Sequence, residues 1–230
     1  MLRFKAFGFA TMAITAGIIG ASSLVAQAAP APAKATDPYD VVEDASTFDI
    51  VLKLMMPGDV IAWTHTGQLE PSMPYLPEGM KKLTEPKING GIIVTGKLRD
   101  QKGEVVAFGS QHSVMPLDEQ GKISKMEWPT EWTVTFPGRG TLFLSEVEGP
   151  GRIFEIFQKY GHEKKVWTGN MQVRTTRGPT MHGNGYVVGG TGEFVGKTGM
   201  FIEVNNFTRN DFTKSGQLPD GSIEIRVRFN

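Results

Sequence analysis

Gly189-Gly190-Thr191-Gly192-Glu193-Phe194-Val195-Gly196-Lys197-Thr198-Gly199 is the stretch on which the reading of this chain turns. Its end, Gly196-Lys197-Thr198, supplies the close of a phosphate-loop pattern, in which backbone N–H groups cradle phosphates ahead of a helix. The first glycine of that pattern is missing, because Thr191 occupies its place. A dinucleotide fingerprint fails too, since Gly190-x-Gly192 needs glycine where Val195 stands. The residues that follow, Met200-Phe201-Ile202-Glu203-Val204-Asn205, alternate and are rich in β-branched and aromatic side chains, which predicts a strand. The stretch therefore reads as a glycine-rich turn between strands, and nucleotide binding is set aside.

Working outward, apolar alternations or short apolar runs recur between turn signals. They cover 48–54, 59–69, 91–99, 104–114, 131–136, 141–147, 152–157, 166–176, 186–188, 199–207 and 222–229. The last is the cleanest: Ile223, Ile225, Val227 and Phe229 share one face and Ser222, Glu224, Arg226 and Arg228 the other, so one face is expected buried and one wet. Only Arg152 to Tyr160 has a spacing that also suits a helix. Many strands without crossover helices favour an antiparallel barrel or sandwich over an α/β fold. The segment from Pro71 to Pro86, with four prolines, reads as a long connection that is either a binding loop or a plain surface insertion.

The first residues predict export. Arg3 and Lys5 precede an apolar run from Ala6 to Ile19, and Ala26-Gln27-Ala28 is an A-x-A cleavage site, so residues 1–28 read as a secretory signal peptide. No membrane anchor is expected after cleavage, and the mature protein is expected in the periplasm or secreted. Residues 29–45, Ala/Pro-rich and then polar, read as an irregular leader, and 46–230 as a single domain. The chain has no cysteine, which excludes a lipid-modified cysteine and a disulfide framework. Lys plus Arg and Asp plus Glu balance at 24 each, so neither nucleic acid nor an anionic membrane is implied as a partner.

Tyr186-Val187-Val188-Gly189-Gly190-Thr191-Gly192-Glu193-Phe194, Gly199 opening a strand, and Gly221-Ser222-Ile223-Glu224-Ile225-Arg226-Val227 together resemble the closing third of the dirigent and allene oxide cyclase barrel superfamily. Gly109-Ser110-Gln111-His112 is similar to the Gly-x-Gln-Gly strand end of dirigents. Met171-Gln172-Val173-Arg174-Thr175-Thr176-Arg177-Gly178-Pro179 is similar to their strand ending in Gly-Arg-Asn-Pro. The resemblance is strong over about 165–229, loose over 88–160 and absent before about 45. It implies an all-β, eight-stranded antiparallel barrel of calycin-like form, with an apolar lumen open at one end and commonly assembled as a homotrimer. Glycines would turn the barrel corner, with Phe194 packed beneath.

Relatives of that kind steer reactive apolar molecules mainly by shape. The resemblance therefore implies a cofactor-free enzyme of lyase, isomerase or cyclase type acting on an apolar small molecule, a phenylpropanoid-type aromatic dimer being the concrete expectation. A non-catalytic protein that binds or guides a hydrophobic ligand is the alternative. The candidate catalytic residues are Arg177, by its match to the strand-end Arg, His112, where the family has glycine, and Tyr186 before the turn. Trp63, His65 and Arg174 are candidate ligand-binding residues. Each has a plain structural counterpart: an exposed loop histidine, a rim tyrosine, a surface ion pair. No metal site is expected, because the histidines lack ligand spacing, and no cofactor is expected. Ser110, His112 and Asp118 offer the residue types of a hydrolase triad, but no Gly-x-Ser-x-Gly elbow accompanies them.

Overall fold

A computed structural model describes residues 42–66, 81–214 and 216–230. The signal peptide, its cleavage site, most of the leader, residues 67–69 of the second expected strand and most of the Pro71–Pro86 connection lie outside the described residues. In chain order the strands are β1 (Ile50–Met56), β2 (Val60–His65), β3 (Gly91–Arg99), β4 (Val105–Val114), β5 (Trp128–Phe136) and β6 (Gly140–Glu148). A short helix α1 (Arg152–Ile156) follows, then β7 (Val166–Arg174), β8 (Thr176–Gly178), β9 (Gly185–Gly190), β10 (Gly199–Asp211) and β11 (Asp220–Phe229).

The strands form a closed antiparallel barrel of eight staves with extra strands. The path runs β1-β11-β10-β9-β6-β5-β4-β3, and the pairing of Lys53 with Arg99 returns β3 to β1. The closing edge is fixed by a buried charge: Asp59, 1% exposed, sits in the β1–β2 turn and takes Arg99 Nε at 2.7 Å and Nη2 at 2.8 Å. Between β6 and β10 the wall is built from two pieces. β9 pairs with Leu142–Ser145 and with Gly199–Phe201, whereas β7 and β8 take over beside Val204–Asp211 and Val147–Glu148. Where one piece replaces the other, side chains supply ladder bonds: Glu203 N–H donates to Thr176 Oγ1 at 2.6 Å.

The glycine-rich turn closes one end of the barrel. Gly192 stands at φ 60°, and a Cβ there would collide with the Arg139 carbonyl of the β5–β6 hairpin, so only glycine fits. Phe194, 3% exposed, packs under the turn with its ring centroid 5.1 Å from that of Phe136. The strand expected after the turn is β10. Leu98, Val134, Leu142 and Val227 fill this end of the barrel as core.

Two expectations are corrected. Residues 152–157, taken among the apolar runs, form α1 and lead into a wider π-helical turn over Phe157–Gly161, the helical option that their spacing left open. The polar face of β11 is not wet: Ser222, Glu224 and Arg226 are 7%, 3% and 6% exposed. The chain from Val42 to Phe48 lies over them, adding a second small core of Phe48, Val51, Ile202 and Val204 on the outside of the barrel wall. Arg226 pairs with Glu224 and donates to the Glu43 carbonyl, and Arg228 Nε donates to the Thr47 carbonyl at 2.8 Å. Alternation reports that a strand has two faces, not that one of them meets water.

Candidate functional site

At the end of the barrel opposite the glycine-rich turn, the inward faces of the strands stop short of filling the lumen and leave a cavity of about 450 Å³. Such a volume falls within the range of small-molecule sites. Ile92 and Val94 of β3, Trp63 of β2, Trp128 of β5, Phe207 of β10 and Ile223 of β11 give it apolar and aromatic walls. Ile153 and Phe154 of α1 and Phe157 of the turn after it cover one side. Phe157 is held edge-on against Phe212, ring centroids 5.0 Å apart. Gly151, at φ 48°, starts this cover.

Three strands turn polar groups into the cavity, Gln111 and Ser113 on β4, Glu148 on β6, and Glu203 and Asn205 on β10, and Lys122 and Gln158 add to its lining from outside the strands. Glu148 is half-buried and receives its hydrogen bonds on one oxygen. Thr130 Oγ1 at 2.8 Å, Ser113 Oγ at 3.1 Å, Trp128 Nε1 at 3.2 Å and Gln111 Nε2 at 3.5 Å all donate to Oε2. Among the described residues none reaches Oε1. Burial, and next the nearby Glu203 carboxylate, push the Glu148 carboxyl up to about 7. Glu203 is raised by burial, against the pull of its own donors. Glu146, inside the wall on β6, is raised well above the carboxylate range by burial and then by Glu203 and Glu148. A carboxyl that titrates near neutrality in an apolar cavity can both take and give a proton. Among the described residues no group of three or more His, Asp or Glu has the arrangement of a metal site.

The expected site residues are dispersed. Trp63 lines the cavity, and its Nε1 is buried without a hydrogen-bond partner among the described residues. His65 shares Trp63's face of β2, opposite Ile92, without lining the cavity, and burial and then Lys82 lower its pKa. His112 stands between Gln111 and Ser113 and so points outward, where it meets Ser110 Oγ at 3.1 Å. Tyr186 is also on the outer wall, 46% exposed. Arg177 lies across Gly149 and Gly151 and does not line the cavity: a Cβ at Gly151 would fall 2.5 Å from its Nη2. Arg174 is buried and secures the connection before β9, donating to the Gly183 carbonyl at 2.5 Å and to Asn184 Oδ1 at 2.6 Å.

Glu146, Glu148 and Glu203 went unnoticed in the sequence. The signal was there: Leu142, Leu144, Glu146 and Glu148 share one face of β6, and Phe201, Glu203, Asn205 and Phe207 one face of β10. Carboxylates on the face that also carries buried leucine and phenylalanine point into the barrel. No family model, curated protein or solved structure matches this chain.

Proposed function

We propose that the protein is an exported, cofactor-free enzyme of lyase, isomerase or cyclase type that moves a proton on an apolar small molecule in the barrel cavity, with Glu148 as general acid–base. The observation that carries this reading is the Glu148 carboxyl itself. It lines an aromatic cavity, keeps Oε1 free of protein donors among the described residues, and titrates near 7. A catalytic pKa close to the working pH gives the best balance of protonation state and driving force. The apolar walls hold the reactant in place and exclude water from the transfer.

Trp63, Trp128, Phe154 and Phe157 favour an aromatic reactant, which fits a phenylpropanoid-type dimer. In this reading the substrate presents a transferable proton to Glu148 Oε1, while Ser113, Trp128 and Thr130 fix the orientation of the carboxyl. The resemblance of the glycine-rich turn and its flanking strands to dirigent and allene oxide cyclase barrels supports the same class of chemistry. A homotrimer belongs to this reading, and the exposed Phe108, Phe143 and Val188 of the outer wall give it a surface. Sedimentation of the purified protein tests it.

The decisive experiment incubates the purified mature protein with a panel of phenylpropanoid dimers and unsaturated fatty-acid derivatives, read by mass spectrometry and chiral chromatography. New products that disappear in Glu148→Gln support the proposal. Saturable binding with unchanged ligand recovered would make the protein a carrier instead.

A further inference from the structure

The chemistry proposed above uses Glu148 and leaves two carboxyls behind it without a role. Glu146 and Glu203 are 2% and 1% exposed and flank each other across the seam in the barrel wall. Two ionised carboxylates side by side in an apolar interior repel each other and are both poorly solvated, so one of them keeps a proton.

Their hydrogen bonding says which. Glu203 Oε2 accepts from Gln111 Nε2 and Trp132 Nε1, each at 2.8 Å, and Oε1 accepts from Asn205 Nδ2 at 2.7 Å and Thr175 Oγ1 at 3.0 Å. Four donors converging on one carboxyl are the surroundings of an anion. Glu146 has no such set: among the described residues no donor meets either oxygen with hydrogen-bond geometry, although the Thr176 hydroxyl and Glu203 lie beside it. A buried carboxyl without donors is stable as the neutral acid, and as an acid it is itself a donor. Of its two polar neighbours, Thr176 and Glu203, the anionic Glu203 is the stronger acceptor. From the anion, the Gln111 amide nitrogen leads on to the cavity, 2.8 Å from Glu203 Oε2 and 3.5 Å from Glu148 Oε2.

We propose that Glu146 and Glu203 form a carboxyl–carboxylate pair that holds one proton, Glu146 donating and Glu203 the fixed anion. Reaching the cavity through Gln111, this anion keeps Glu148 a carrier of protons rather than a permanent carboxylate. Glu203 and Glu146 are then positioning residues that act through Glu148, and the significance of the pair for turnover rests on the catalytic reading above. The other charged groups that face this region are Lys122, at the cavity wall, and Arg177, against Gly149 and Gly151. The four side-chain donors to Glu203 are all neutral, so among the described residues no cation hydrogen-bonds to it and cancels its charge on Glu148.

The test needs no substrate. Infrared difference spectra of the full mature protein should show the carbonyl stretch of a protonated carboxylic acid that persists above the pH at which Glu148 ionises. The band should be lost in Glu146→Gln and kept in Glu148→Gln. NMR titration of protein labelled at the glutamate carboxyl carbons should place the Glu148 midpoint lower by about one pH unit or more in Glu203→Gln, because a like charge has been removed. In Glu146→Gln, whose amide still donates to Glu203, that midpoint should stay. Absence of the protonated band in the unsubstituted protein overturns the proposal, as does an unchanged Glu148 midpoint in Glu203→Gln. If Glu203→Gln does not fold, the infrared comparison of the unsubstituted protein with Glu146→Gln decides alone. Turnover surviving in Glu148→Gln while the band behaves as expected would refute the catalytic reading and leave the pair standing.

Discussion

Thr130 Oγ1 donates to Glu148 Oε2 across 2.8 Å, so the carboxyl that ends β6 is held from inside the barrel by the neighbouring strand. Orientation of this group, and not only its presence, is therefore built into the β5–β6 pairing.

Replacing Glu148 by Gln keeps size and most hydrogen-bonding capacity but removes the proton. Turnover of a substrate found by product screening is expected to fall by about 10² or more, the usual worth of a general acid–base group. Ligand binding should be retained, and the protein should still melt cooperatively. In the unsubstituted protein the rate should follow one ionisation with a midpoint of about 7, rising with pH if Glu148 acts as base and falling if it acts as acid. Steady-state kinetics across pH, with both proteins, check this.

Stability should fall from mildly acidic to mildly alkaline pH. Glu148 has a folded value of about 7 against an ordinary 4.5, so its contribution is fully present below the ordinary value and lost as pH rises through the folded one. Glu146 and Glu203 shift in the same direction. Asp59 opposes them at the acid end: its Arg99 hydrogen bonds lower its pKa, so its contribution is lost as pH drops through the carboxylate range. Thermal melts against pH should show a maximum on the acid side of neutrality, and Glu148→Gln should flatten the alkaline limb.

Asp59→Ala removes the buried anion that ties the β1–β2 turn to Arg99 at the closing edge. A loss of about 2 kcal/mol is expected, less than for a fully buried pair because Arg99 is 34% exposed. Urea unfolding measures it, and a change below about 0.5 kcal/mol would show that closure does not depend on this pair.

Two glycines of the turn should separate space from backbone conformation. Gly196 stands at φ 72° with nothing within 4 Å of a built Cβ, so Gly196→Ala should cost only the left-handed strain, about 1 kcal/mol. Gly192→Ala adds a collision with the Arg139 carbonyl and should cost clearly more. Equal losses in denaturant unfolding would contradict the close approach of the two hairpins.

Ile153→Trp enlarges a side chain that covers the cavity from α1. Binding of apolar ligands, followed by displacement of a hydrophobic fluorophore, should weaken at least tenfold while the circular dichroism spectrum is unchanged. Full affinity would show that ligands bind elsewhere.

Much of the fold was legible because its cues are local. Alternation along Ile223 to Phe229, strand-forming residues after Gly199 and glycines at a tight corner each depend on a few neighbouring residues. The site was less legible. His112 and Tyr186 attracted attention as reactive residue types beside a familiar turn, yet their parity places them on the outer wall, with Gln111, Ser113 and Val187 facing in. Glu146, Glu148 and Glu203 look in sequence like ordinary surface acids on strands.

By itself the sequence determined an all-β chain with a glycine-rich corner at Gly189 to Gly199, since turn chemistry and period-two patterning are properties of short segments. Only the tertiary structure decided what each face meets. The segment Val42 to Phe48 dried the polar face of β11, and barrel closure brought Glu148 of β6 and Glu203 of β10 to one cavity. Those contacts join residues far apart in the chain, and a carboxyl becomes a proton carrier through the water and charges that surround it rather than through its neighbours in sequence.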